Sequence, residues 1–152
     1  MDEEKEKMRK ELQCILYPLH HLKTYKYVVV CSYYQGKWVL SKHKQRDTWE
    51  TQGGHIEQNE TPLDCAKREL YEESGIKEAD LYPVCDYYGY HAKGSSNGVV
   101  FLAIVHAFHA LPPSEMKEIR LFETIPNQLT YPKASPKFYE EAYKVLLKIM
   151  EE

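Results

Sequence analysis

Between Thr61 and Gly75 the chain spells out both ends of one helix, which constrains the fold more tightly than any other stretch. Thr61 is a strong N-cap type, Pro62 suits the first helical position because its φ is preset, and Asp64 stands where a capping-box acid belongs. Ser74-Gly75 supplies the stop, with glycine placed for the left-handed residue that closes many helices. The spacing predicts a helix from Thr61 to Ser74.

Strand-like runs lie on both sides of this helix. Tyr25 to Tyr34 (YKYVVVCSYY) is rich in β-branched and aromatic residues, Gln35-Gly36 reads as a tight turn, and Lys37 to Lys42 returns, so a β-hairpin is expected. A loop is expected at Gly53-Gly54, just after Trp49. Leu81 to Ala92 and Val99 to His109 read as strands joined through the turn formers Gly94 to Gly98, and Glu118 to Phe122 as a shorter strand. Ser135-Pro136 reads as the N-cap and first residue of a closing helix, with Phe138, Ala142, Val145 and Ile149 forming its apolar face. Strands bracketing one helix, with another at the end, predict a mixed sheet covered on both sides.

The 152 residues fit a single domain, with residues 1–12 as a charged, partly ordered extension. With 43% hydrophobic and 28% charged residues, a folded globular chain is expected. The start is dense in Glu and Lys and resembles no signal peptide, and no run reaches membrane-spanning length, so a cytoplasmic location and no membrane partner are expected. Cys14, Cys31, Cys65 and Cys85 form no C-x-x-C pair and read as free thiols. The net charge of −3 and the lack of a basic stripe argue against long nucleic acid as a partner. Short phosphorylated molecules stay open, because a bound divalent cation can supply positive charge.

Chemistry concentrates on the central helix. At about 100° per residue, Leu63, Ala66 and Leu70 share one side, and Glu69, Glu72 and Glu73 fall on an adjoining arc. Three carboxylates at such spacing repel each other, at roughly 0.2 to 0.5 kcal/mol per neighbouring pair on an open surface. A nearby cation reverses the sign of that interaction. The plain alternative is a solvated acidic face, and position alone does not decide between them. A hard cation such as Mg²⁺ wants oxygen ligands and is completed by water and substrate phosphates, and the glycine pair beside the helix lets it approach backbone closely.

Gly54 to Ile76, GHIEQNETPLDCAKRELYEESGI, resembles the signature of the Nudix hydrolase family (MutT-like), G-x5-E-x7-R-E-U-x-E-E-x-G-U with U aliphatic. Gly54, Glu60, Arg68, Glu69, Leu70, Glu72, Glu73, Gly75 and Ile76 match every specified position. Glu118 to Phe122 with Ile125-Pro126 resembles, more loosely, a later stretch of the family. The resemblance implies a Nudix-type α/β/α sandwich around a mixed β-sheet. It implies Glu69, Glu72 and Glu73 as metal ligands, joined by the Gly54 carbonyl, with Mg²⁺ as the cofactor and Mn²⁺ as its substitute. Arg68 and Glu60 take a supporting role through their ion pair. Glu73, Glu118 and Glu115 are the candidates for the general base, Glu118 doubling as an outer ligand. Gln52 departs from the family, in which proline is frequent before the two glycines.

The resemblance implies an acid anhydride hydrolase: a pyrophosphohydrolase cutting a diphosphate linkage in a small nucleoside diphosphate derivative, such as a (deoxy)nucleoside triphosphate or oxidised nucleotide. Two other readings are carried. One is a non-catalytic Nudix-fold nucleotide-binding module, against which the intact glutamates argue; the other is an isoprenoid diphosphate isomerase, which needs an accessible cysteine. Tyr33, Tyr88, Tyr90 and Phe122 are candidate stacking surfaces for a base, although core or sheet-face roles are the plainer reading. His43, His55 and His91 show no metal spacing, and His55 is a candidate phosphate contact. Cys65 reads as a small packed side chain. The assembly state is left open, a homodimer included.

Overall fold

The computed structural model describes residues 2–151. The alternation of apolar residues along the central strands builds one eight-stranded sheet with a helix on each face. In chain order the elements are α1 (Asp2–Glu11), β1 (Gln13–Tyr17), β2 (Tyr27–Tyr34), β3 (Lys37–His43), β4 (Trp49–Glu50), β5 (Gln52–His55), α2 (Pro62–Ser74), β6 (Glu78–His91), β7 (Gly94–Ala107), β8 (Met116–Phe122) and α3 (Ser135–Met150). The main path of the sheet is β1-β6-β7-β2-β3-β4, with β5 added to β2 and β8 to β3. β2 and β7 run parallel and the other pairs antiparallel, so the sheet is mixed as expected.

β2 shows how the layers are set. Val28 and Val30 point into the core under α2, with Cys65, Ala66, Leu70 and Ile76. Val29 and Cys31 point the other way, into the core under α3, with Phe138, Tyr139, Ala142 and Leu146. The period of two along one strand therefore separates the two faces. No helix among the described residues is long and apolar enough to cross a membrane.

α2 begins and ends where its signals place it. Thr61 Oγ1 accepts from Asp64 N at 3.0 Å, and Asp64 Oδ2 accepts from Thr61 N at 3.2 Å, a complete capping box. Gly75 closes the helix at φ 79°, donating to Tyr71 O at 2.8 Å. Its apolar stripe is rotated from the expectation. Leu63 is exposed, and Cys65 takes its place with Ala66 and Leu70.

Three expectations are corrected. Gly53-Gly54 is not a loop but part of β5, paired with Val29 and Val28 of β2. Missing side chains let backbones approach there: a Cβ on Gly53 would collide with Val28 O, and one on Gly54 with the Glu69 carboxylate. The Gly94–Gly98 stretch is strand, because the β6–β7 hairpin turns earlier, at Ala92-Lys93, and extends its ladder through these residues. Ser135 is the first residue of α3 rather than its cap. Ala134 occupies the cap without a side-chain hydrogen bond, and Leu146 and Tyr139 are buried more deeply than Val145 and Ile149. α1 is helical through Glu11, tethered by an ion pair from Glu4 to Lys93 at the hairpin turn. Two short strands, β1 and β4, carried no strong pattern and were not anticipated.

Candidate active site

The acidic arc of α2 lies against β5, so the helix fixes three carboxylates beside the two glycines. Gly53 N donates to Glu73 Oε1 at 2.8 Å, and the Gly54 backbone lies against the Glu69 carboxylate. These groups line a cleft of about 760 Å³ that also takes in Glu72, Glu50, Glu115, Tyr27, Tyr87 and Tyr131. The side chain of Glu72 is 48% exposed and that of Glu69 13%, so one carboxylate faces solvent while its neighbour is enclosed.

Arg68 holds that arrangement. Its guanidinium makes a two-point contact with Glu60, Nε to Oε2 at 2.7 Å and Nη2 to Oε1 at 3.0 Å. It also donates to Glu69 Oε1 at 2.8 Å and His55 O at 3.2 Å, and lies 3.5 Å from Glu72. One planar cation thus joins β5, the following turn and α2, which suits the bracing role expected of it. The Arg68 hydrogen bonds hold the Glu60 carboxyl down at about 2. Cys65 fills the gap beneath, its thiol donating to His55 O at 3.4 Å, as a packed side chain.

The remaining carboxylates are under electrostatic pressure. Burial pushes Glu73 up to about 9; the Gly53 N–H opposes this, and Glu69, Glu50 and Glu115 add to it. Burial also pushes Glu69 up to about 7, countered by Arg68 and reinforced by Glu72. Among the described residues no three His, Cys, Asp or Glu side chains already stand close enough together to hold a cation. Glu69 is turned to Arg68 and Glu73 to Gly53 N.

The base candidates separate. Glu115 lines the cleft, its carboxylate 3.6 Å from His43 Nε2. Glu118 does not line it. It pairs across the ladder with Lys42, and alternation turns both away from Ser41 and Ile119, which face α2. His55 is exposed on β5 with its ring 4.2 Å from that of Tyr27. Tyr88 and Tyr90 are exposed and stacked on each other outside the cleft, whereas Tyr33 and Phe122 pack on the two tryptophans. Sequence reading missed Glu50, Arg46, Tyr27, Tyr87, Tyr131 and the α1 residue Arg9, all of which line the cleft. They come from distant parts of the chain and share no spacing that could have announced them.

A NUDIX domain model matches residues 24–145, most of the chain. The chain belongs to the Nudix family. Two curated relatives named RNA pyrophosphohydrolase are similar to it over short stretches. The Bartonella henselae protein is 48% identical over 40 residues, 26% of this chain and 23% of the relative. The Bartonella quintana protein is 44% identical over 62 residues, 35% of this chain and 36% of the relative. The matched stretches therefore cover about a quarter to a third of those proteins. Among solved structures, a mutant form of the Bacillus subtilis pyrophosphohydrolase BsRppH superposes with a TM-score of 0.74 at 21% identity, covering 88% of this chain and 90% of that one. That likeness places the chain in the same fold, the Nudix α/β/α sandwich expected from the resemblance.

Proposed function

We propose that the chain is a divalent-metal-dependent pyrophosphohydrolase, cutting a diphosphate linkage in a small nucleoside diphosphate derivative. The observation that carries this is the crowding of Glu69, Glu72 and Glu73 against Gly53-Gly54 at the cleft, two of them pushed well above the ordinary carboxylate range. An all-oxygen donor set beside an open backbone suits a hard cation such as Mg²⁺ or Mn²⁺, with room left for phosphate oxygens. When bound, such a cation neutralises the phosphate oxygens and makes water a stronger nucleophile. Glu69, Glu72 and Glu73 would hold it, with the Gly54 carbonyl beside them. Of the three base candidates, Glu73 and Glu115 are retained because they line the cleft. The base takes a proton from the attacking water as the P–O–P linkage breaks and the other phosphate departs.

Arg68 and Glu60 orient the ligands rather than supply them. Arg68→Ala is expected to weaken Mg²⁺ affinity by about 10- to 100-fold, the usual range for losing such a partner. Calorimetric titration checks this, and unchanged affinity would remove the bracing role.

The half-buried Tyr27 and Tyr131 offer faces for a nucleobase, and Arg9 offers an anion contact. Among the described residues Arg9 has no ion-pair partner, whereas Arg46 is paired with Glu50 at 3.1 Å. Arg9→Ala is expected to raise KM several-fold, about the loss of one charged hydrogen bond, with kcat unchanged. Steady-state kinetics on the best substrate reads the split. A fall in kcat alone would place Arg9 elsewhere in the mechanism.

Isoprenoid diphosphate isomerisation is disfavoured because it needs an accessible thiol. All four cysteines are buried, and burial pushes Cys65 up to about 12. A Mg²⁺-dependent phosphate-release assay over nucleoside triphosphates, oxidised nucleotides, nucleotide sugars and dinucleoside polyphosphates tests the proposal. An RNA carrying a 5′ phosphoanhydride joins the panel because the Bartonella relatives are named RNA pyrophosphohydrolase. No release from any member, with Mg²⁺ or Mn²⁺, would leave the nucleotide-binding module as the better reading.

A further inference from the structure

Beneath the glycine pair runs a chain of buried polar side chains. Ser32, Ser41 and Gln52 are each fully buried, beside the apolar layer that holds Val28, Val30, Val39 and Leu70. Ser32 Oγ donates to Gln52 Oε1 at 2.7 Å. Gln52 Nε2 donates to Val39 O at 3.1 Å and to Ser41 Oγ at 2.9 Å. Ser41 Oγ donates to the main-chain carbonyl of Glu73 at 2.7 Å.

The directions in this relay are forced. Val39 O can only accept, so the amide nitrogen of Gln52 must face it and the amide oxygen must face Ser32. Ser41 Oγ, already receiving a proton from Gln52, turns its own hydroxyl proton to Glu73 O. That carbonyl belongs to the last turn of α2, where no intrahelical donor remains for it. The residue after Gln52 then grips the same glutamate by its side chain, through Gly53 N to Glu73 Oε1 at 2.8 Å. Glu73 is thus held at its backbone by Ser41, which Gln52 orients, and at its carboxylate by Gly53.

Burying an amide in an apolar layer brings no stability of its own, since its hydrogen bonds do little more than offset desolvation. We infer that Gln52 is a positioning residue: by way of Ser41 and Gly53 it sets where the Glu73 carboxylate stands in the cleft. This rests on the hydrolase reading above, for which Glu73 is a ligand. It also gives a physical role to the residue that replaces the proline frequent in the family. A proline there would have no side-chain amide to direct Ser41.

The test uses the full chain and Gln52→Met, Ser41→Ala, Ser41→Thr and the Gln52→Met/Ser41→Ala double variant. Leu146→Ala, in the core under α3, serves as a control for general destabilisation. Mn²⁺ affinity is measured by calorimetry, kcat and KM on the best nucleotide, and Gly53 amide exchange by NMR. Gln52→Met and Ser41→Ala are each expected to lower Mn²⁺ affinity and kcat about 10-fold with KM little changed, and to speed Gly53 exchange. The double variant should be no worse than Gln52→Met alone, because the two act through one relay. Ser41→Thr, which keeps the hydroxyl, should restore affinity. Leu146→Ala should lose melting temperature and keep Mn²⁺ affinity. Folded Gln52→Met with wild-type Mn²⁺ affinity and Gly53 exchange would overturn the inference. If Gln52→Met does not fold, unchanged affinity in Ser41→Ala overturns it instead. Wild-type protein that neither binds Mn²⁺ nor hydrolyses any nucleotide would sink the hydrolase reading, while Gly53 exchange would still report on the clamp.

Discussion

Glu72→Gln is expected to lower turnover on the order of 100-fold or more while leaving the melting temperature almost unchanged. The two halves of that result have separate causes. Glu72 is exposed, with a long contact to Arg68 at 3.5 Å set against repulsion from Glu69, so its charge contributes little to the folded state. A surface change of this kind alters stability within about 0.5 kcal/mol. In the proposed site, however, Glu72 completes the donor set with Glu69 and Glu73. An amide cannot supply the negative charge. Kinetics and a thermal melt on the same sample check both halves, and preserved turnover would remove Glu72 from the ligand set.

The second large effect is on stability, and it appears without metal. Glu69 and Glu73 are raised in the folded state to about 7 and about 9, from an ordinary value of 4.5. The folded chain therefore holds protons that the unfolded chain has released. Their stabilising effect is complete below about pH 4.5 and is lost as pH rises through 7 and then 9. Glu60 works in a different window: lowered to about 2, it adds stability above pH 4.5 that disappears as pH falls toward 2. In a chelator, the melting temperature should fall from pH 5 to pH 9. Mg²⁺ should restore it by an amount that grows over the same range, because the ligands bind metal only when deprotonated. The Glu69→Gln/Glu73→Gln double variant should lose most of that slope and all of the Mg²⁺ increment. A slope identical to wild type would mean that the two carboxylates are not under the pressure their burial implies.

Much of this was legible in the sequence because the signals were local. The capping box, the terminal glycine and the acid spacing of α2 are all set within fifteen residues, and β2 and β3 announce themselves by composition and turn. Gly53-Gly54 misled because glycine reports that a Cβ is not tolerated, which a tight ladder requires as much as a loop does. Gly94 to Gly98 misled for a related reason, since hairpin pairing with β6 overrode turn propensity. Leu63 is exposed, contrary to expectation, because helical periodicity fixes an arc but not which edge of it meets the sheet. Beyond the Nudix signature, little of the site was legible apart from Glu115. Glu118 matched a family-like stretch, yet strand alternation, knowable only once β8 was paired with β3, turns it from the cleft. Arg9, Arg46, Glu50 and Tyr131 meet there only through the fold, and Gln52 gains a role only when Ser41 and Glu73 are seen on either side of it.

The central claim is that crowded negative charge on α2 is tolerated because divalent cations settle there. Calorimetric titration of the chelator-treated chain with Mn²⁺ and with Mg²⁺, with and without a non-hydrolysable diphosphate analogue, tests it most directly. Saturable binding is predicted, tightened by the analogue and abolished in a Glu69→Gln/Glu72→Gln/Glu73→Gln variant that stays folded. No heat of binding in the wild type, or the same binding in the triple variant, would contradict it.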